Sequence, residues 1–454
     1  MKDMTRGGIV KNIIFFSIPM LLGNVFQQLY NIIDSIVVGR FIGKGALGAV
    51  GASFPVMFLI IALIIGATMG SMVLVAQFFG AKDHVNLIKI VDTTYIFLLA
   101  MSIVAAVSGL IFSKSILRLL GTPESIMPDA KTYMEIIFIG MPLMFGYNAL
   151  SAVMRGVGDS KTPLYLLIVA SLVNIVLDLL FVIKFKWGVA GAAYATVISQ
   201  GISFIGGVIY LHLKKSMVAV RMRTMQFDLK LFIRSIKIGV PSGVQQMAVA
   251  FGLMALTRIV NGFGADALAA FTVAGRIDSF AMMPAMNFSI ALSTFTGQNI
   301  GAKQMDRVYE GVRSTLLISS IVCVFITLVI IIFKHALILL FNNDPEVVRI
   351  GTEYLLTVST FYIFFSVMFI FNGALRGGGV VVLPMIITIA ALWGIRIPLS
   401  FVMSRFMGTA GIWWGIPIAW VIGAACSSIY YKFGNWERKI EWHQPESSEQ
   451  FFEG

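Results

Sequence analysis

The sequence predicts an all-α polytopic membrane protein of twelve transmembrane helices, arranged as two six-helix lobes related by a pseudo-twofold axis. Three observations predict it. The chain is 58% hydrophobic and 12% charged, with a mean hydropathy of +0.89, unlike a soluble domain. Its apolar runs are nearly continuous and about 20 residues long, the length that crosses a hydrocarbon core of about 30 Å at about 1.5 Å per residue. The pattern also repeats. Gln77-Phe-Phe-Gly80-Ala-Lys82 recurs as Gln298-Asn-Ile-Gly301-Ala-Lys303, and Arg155-Gly-Val-Gly158 before Pro163 recurs as Arg376-Gly-Gly-Gly379 before Pro384, both at a spacing of 221 residues. Gly188-Val-Ala-Gly191 and Gly408-Thr-Ala-Gly411 match at 220, and Pro19 and Pro241 at 222. Four pairs in one register mark an internal duplication with minimal insertions.

Taken in order, the predicted spans are 12–38, 48–76, 91–113, 132–154, 163–185 and 189–212, then 235–260, 267–295, 314–333, 351–374, 381–404 and 410–431. The first half forms an N-terminal lobe over 1–213 and the second a C-terminal lobe over 231–433. A basic linker, 214–230, joins them, and a polar cytoplasmic tail occupies 434–454, expected to be mobile from Glu437 on. Six spans per half give both lobes the same orientation, with a cleft expected between them. Pro19 and Pro55 fall inside spans, where they should kink or loosen the helix. Gly66-x-x-x-Gly70 and Gly411-x-x-x-Gly415 are the spacing of small-residue helix contacts.

An even number of spans puts both termini on one side. Of 34 Lys and Arg, twenty-one fall on that side, ten on the other, and Arg258, Arg276 and Arg396 within spans. The excess of Lys and Arg makes the side of the termini cytoplasmic. The net charge of +12 is scattered over short loops, so membrane orientation explains it and a nucleic-acid partner is not expected. Cys323 and Cys426, both inside apolar runs, offer neither a disulfide framework nor a zinc site. The charged N-terminus precedes a run too long for a signal peptide, read as a retained first helix. Zincin, nucleophile-elbow and P-loop signatures are missing, so no enzyme activity is expected and ATP does not drive the chain through a domain of its own.

The candidate chemistry lies where polar groups interrupt the apolar spans. Asn174 and Asp178 sit four residues apart on one face of the fifth span. An aspartate well inside a bilayer costs on the order of 2.5 to 3.5 kcal/mol on insertion scales, and such residues are functional by default. The duplication supplies a control. Asp34, Asn174 and Asp178 map onto apolar positions near Leu256, Ile395 and Leu399 of the second half, whereas a requirement of the fold would appear in both. Thr196, on the sixth span, offers a hydroxyl that could complete the cluster or simply bond back to its own helix. Two carboxylates, an amide oxygen and a hydroxyl could coordinate a monovalent metal cation, and the same carboxylates could instead hold protons.

Further polar groups define a second set. Gln27, Gln28, Asn31, Gln245 and Gln246, in the first span of each half, could line the cleft or bond between helices. Arg276 and Asp278 share the eighth span but, two apart, do not face each other, so Asp278 is expected to pair with an arginine elsewhere or to contact substrate. The 25 Met and 36 Phe suit a surface that adapts to varied apolar ligands. Pro19, on the helix that carries Asp34, is a candidate hinge.

These features together, with Met154-Arg-Gly-Val-Gly-Asp159-Ser-Lys-Thr-Pro163 and Asn174-x-x-x-Asp178, resemble the multidrug and toxic compound extrusion (MATE) transporters over essentially the whole chain. The first-lobe acid cluster resembles the DinF-like prokaryotic branch, whose cation site falls here on Asp34, Asn174, Asp178 and Thr196. The resemblance implies an antiporter coupled to sodium or protons. It would export organic cations and amphipathic drugs by alternating access, from a prokaryotic plasma membrane, as a monomer and without a cofactor. NorM-like members carry acids in the seventh and tenth spans, where this chain has Gln245, Gln246 and Arg258 in the seventh and none in the middle of the tenth. Two rivals remain: a lipid-linked oligosaccharide flippase of the same superfamily, which would want the intramembrane arginines in a cationic cleft, and a membrane-embedded transferase, which would want water-facing paired acids.

Overall fold

The computed structural model describes residues 2–221 and 223–440 and, among them, contains helices and no strand. Twelve long helical spans account for nearly all of it. The first six are α1 (Ile9–Ile42), α2 (Lys44–Ala81), α3 (His84–Leu119), α4 (Met127–Gly156), α5 (Lys161–Lys184) and α6 (Gly188–Leu213). The second six are α7 (Leu229–Asn261), α8 (Ala265–Gly301), α9 (Met305–Leu339), α10 (Pro345–Ser359 with Tyr362–Gly377), α11 (Val382–Met407) and α12 (Thr409–Phe433). Ten of these are each long and apolar enough to cross a membrane, and the two halves of α10, bent by 48°, make one broken span. At 37 residues α8 is long enough as well. It is less apolar because it carries Asp266, Arg276 and Asp278. The chain is a multi-pass membrane protein.

The helices fall into two compact units. Among the described residues, one comprises Ile18–Gly239 and the other Asp3–Ser17 with residues 240–440. Each first helix is therefore shared: the opening turns of α1 belong to the second unit and those of α7 to the first. The changeover falls beside Pro19 in α1 and beside Pro241 in α7. Proline removes a backbone donor and crowds the preceding turn, so a helix can change direction there at low cost. Pro55 behaves differently from the sequence expectation. α2 is interrupted at Ser53 and restarts at Phe54, which puts Pro55 in a first turn, where its missing N–H leaves nothing unpaired.

The repeated Gln-x-x-Gly-Ala-Lys motif serves both units in the same two ways. It ends its helix, with Lys82 and Lys303 in the left-handed conformation at φ 57° and 58°. Its glutamine also receives the borrowed helix end. Arg234 donates to Gln77 at 3.3 Å in the first unit, and the Met4 N–H donates to Gln298 at 2.9 Å in the second. The Met4 segment is held further by Arg307, which reaches the Met4 and Gly7 carbonyls at 3.2 and 3.0 Å. In the first unit, α2 and α7 touch through Gly70 and Gly239, where a Cβ would collide with the Ser235 and Gly66 carbonyls. Gly66-x-x-x-Gly70 is thus one side of a helix contact, and Gly411 and Gly415 play that part between α12 and α11.

The start of the polar tail packs on the second unit. Residues 436–439 form a short 3-10 turn, and Trp436 is buried in the second unit, its indole donating to the Tyr431 carbonyl at 3.0 Å. Trp436 packs with Ile300 and Leu375, and Glu437 accepts from the Tyr309 hydroxyl. An indole's apolar area outweighs the polarity of the neighbouring residues, which is why composition misleads there. The remainder of the tail, 441–454, lies outside the described residues.

Candidate functional site

Asp34, Asn174, Asp178 and Thr196 converge in the first unit. Asp178 and Asn174 are fully buried on α5, Thr196 is buried on α6, and Asp34 is half-buried on α1. Helix spacing aligns Asn174 with Asp178 on one face. The end of α5 is then fixed against α6: Phe181 packs on Gly191 and stacks on Trp187 at 4.7 Å between ring centroids. Both acid-bearing helices also change winding next to their acid. α1 becomes π-helical over Val38–Ile42 and α5 over Leu179–Lys184, immediately after Asp178. Single π turns recur at functional sites because they re-aim side chains and loosen the backbone ladder.

With its amide oriented to satisfy both neighbours, Asn174 donates to Asp178 Oδ2 at 3.0 Å and accepts from the Thr196 backbone N–H at 3.3 Å. The carboxyls of Asp34 and Asp178 lie close enough to act strongly on each other. Two ionised carboxylates can only accept, so a contact between them requires a proton or a cation. Oδ1 of Asp34 and Oδ1 of Asp178 are buried atoms with no hydrogen-bond partner, a costly arrangement unless a ligand uses them. Two tyrosines complete the walls. Tyr30, one turn before Asp34, lies close to Thr196, and buried Tyr133 on α4 lies close enough to feel both carboxylates. Sequence reasoning misses both, since a lone tyrosine in an apolar span reads as packing. The one available signal is that Tyr30 precedes Asp34 by four residues.

The other candidates scatter. Gln27 and Asn31 are exposed and Gln28 half-buried on α1, in the first unit. In the second, Gln245 is committed to an interhelical bond with Thr388 Oγ1 at 2.7 Å, and Gln246 is half-buried. Arg276 is exposed while Asp278, two residues on, is buried. The partners of Asp278 differ from the expected arginine. It accepts hydrogen bonds from Tyr354 at 2.5 Å and from Tyr362, one to each oxygen, and Arg396 acts on it only as a nearby charge. Two hydroxyls on α10 satisfy the buried carboxylate, one to each oxygen, and leave no acceptor free for the arginine. Arg258 is exposed, so the three intramembrane arginines do not share one environment.

The MatE family model matches the chain twice, over residues 19–180 and 241–402. The chain belongs to the MatE family. The two matches restate the internal duplication. Among relatives, a probable multidrug resistance protein, YpnP of Bacillus subtilis (strain 168), is 35% identical over 96% of this chain and 97% of its own. Another, NorM of Thermotoga maritima, is 27% identical over 95% and 94%. A solved structure described as MATE in the bent conformation superimposes with a TM-score of 0.90 at 24% identity, covering 96% of this chain and 98% of its own. At that identity it speaks for the twelve-helix fold alone.

Proposed function

We propose that this protein exports organic cations and other amphipathic compounds across a prokaryotic plasma membrane, in exchange for a cation carried at Asp34 and Asp178. The observation that carries the reading is the buried carboxyl pair with two unpartnered oxygens, present in one half of a duplicated chain. The relatives named as multidrug resistance proteins support the substrate class. The excess of Lys and Arg in the loops beside the termini supports placing both termini in the cytoplasm.

The proton is the coupling ion that the hydrogen bonding favours. With its amide oriented to satisfy both neighbours, Asn174 turns its N–H to Asp178, and a proton between the two carboxyls is compatible with that arrangement. Sodium is the alternative that an all-oxygen donor set allows, with the Asn174 amide turned to offer its oxygen and Thr196 offering its hydroxyl. Exchange follows if the ion and the organic cation stabilise different conformations, since each then lowers the affinity for the other. α1 is the element that could couple them: it carries Asp34 and passes from one unit to the other beside Pro19.

The test uses the purified full chain in a lightly buffered detergent solution, titrated with a fluorescent lipophilic cation while pH is followed. Proton release on binding, absent in Asp34→Asn and Asp178→Asn, is expected. Binding with no proton release and no sensitivity to sodium contradicts the reading.

A further inference from the structure

The linker after α6 is built into a cationic concavity that the transport reading does not use. A cavity of about 370 Å³ is lined by Val208, His212, Val220, Arg221, Arg223 and Thr224. It is held in shape from beneath. The buried Asp92 carboxylate on α3 lies beside the Gln226 backbone, Thr93 Oγ1 accepts the Asp228 N–H at 3.0 Å, and Val218 and Val220 are buried. The Thr224 N–H donates to the Arg221 carbonyl at 2.9 Å. Arg221 spends part of its charge on buried Asp92. Arg223 is exposed and has no ion-pair partner among the described residues.

The wall of this cavity continues as an apolar stripe. Ile198, Ile202, Ile205 and Ile209 are all exposed on α6, spaced four, three and four apart, so they share one helix face running to Val208 and His212. Exposed isoleucines at membrane depth face acyl chains. A cationic cavity at the foot of such a stripe matches a molecule with an apolar body and an anionic head, and guanidinium groups pair with phosphate through two parallel hydrogen bonds.

We propose that this concavity is a binding site for the phosphate headgroup of an anionic phospholipid, whose acyl chains lie along the isoleucine face of α6. Arg223 is the principal phosphate ligand, with Arg221, His212 and the Thr224 hydroxyl completing the head site and Val208 and Val220 receiving the glycerol end. Lys214 and Lys215, exposed at the end of α6, add to the local positive field.

The experiment is native mass spectrometry of the full chain released from mixed micelles holding equal amounts of phosphatidylglycerol and phosphatidylethanolamine. The wild type should retain phosphatidylglycerol preferentially. Retention should fall about five-fold for each arginine removed in Arg223→Ala and in the Arg221→Ala, Arg223→Ala double variant. Arg223→Lys should fall between the wild type and Arg223→Ala, because a lysine keeps the charge and loses the fork. Arg405→Ala, which removes the same charge elsewhere, should leave retention unchanged. Because Arg221 also serves Asp92, Arg223→Ala alone decides the matter if the double variant does not fold. Equal retention in wild type and Arg223→Ala overturns the proposal, as does an equal loss in Arg405→Ala. Displacement of the lipid by millimolar inorganic phosphate would assign the site to a free anion and overturn the lipid occupant.

Discussion

Both units bury carboxylates within the membrane, and they treat them in opposite ways. In the second, Asp278 has each oxygen paired with a tyrosine hydroxyl, from Tyr354 and Tyr362. In the first, Asp34 and Asp178 lie together, and each keeps an oxygen that is buried and unpartnered. A satisfied carboxylate has nothing left with which to bind, and holding it is a matter of fold. An unsatisfied pair costs stability and persists where a ligand uses the spare capacity. The duplication sharpens the contrast, because both units derive from one pattern and the family model matches each over the same length.

The largest effect that could break this comparison is on transport. Asp178→Asn should reduce ion-driven efflux to background while the protein remains folded and inserted, since asparagine keeps the shape and loses the exchangeable charge. Asp278→Asn should leave efflux within about two-fold of wild type, because no step runs through a group whose oxygens are already committed.

Stability should show the reverse order. Asp278→Leu leaves two buried hydroxyls without an acceptor, at a cost of about 1 to 3 kcal/mol for each, read as a lower Tm in detergent. Asp178→Leu should cost less, because it leaves one buried donor, the Asn174 amide, without an acceptor while also removing an unpartnered oxygen. Smaller effects follow for the tyrosines. Tyr362→Phe should cost about 0.6 to 2 kcal/mol, the range for interhelical hydrogen bonds in membranes, with transport intact. Tyr30→Phe should hardly change Tm and should instead lower the apparent affinity for the coupling ion, because its hydroxyl lies close to Thr196 and Asp34.

Much of this contrast is legible in the sequence. The twelve spans stand out because a membrane demands about 20 apolar residues from every crossing helix. The duplication stands out because helix stops and turns need particular residues, such as the glycines and lysines repeated at Gly80-Ala-Lys82 and Gly301-Ala-Lys303. The convergence of Asp34, Asn174, Asp178 and Thr196 can be anticipated because charges in apolar runs are rare. What escapes is the partner of each acid. Tyr30, Tyr133, Tyr354 and Tyr362 are amphipathic, and nothing in a string separates a tyrosine whose ring packs from one whose hydroxyl reaches a carboxylate. Sequence therefore points Asp278 to the wrong kind of partner. The sharing of α1 and α7 between units also leaves no trace beyond Pro19 and Pro241, since a proline marks where a helix can turn and not what it turns toward.

The most direct test is uptake of a fluorescent organic cation into everted membrane vesicles, with proton and sodium gradients imposed separately. It would compare wild type, Asp34→Asn, Asp178→Asn and Asp278→Asn at matched levels of inserted protein. The account predicts uptake driven by one of the two gradients, lost in both first-unit variants and retained in Asp278→Asn. Gradient-driven uptake that survives Asp178→Asn, or that is lost in Asp278→Asn, would contradict it.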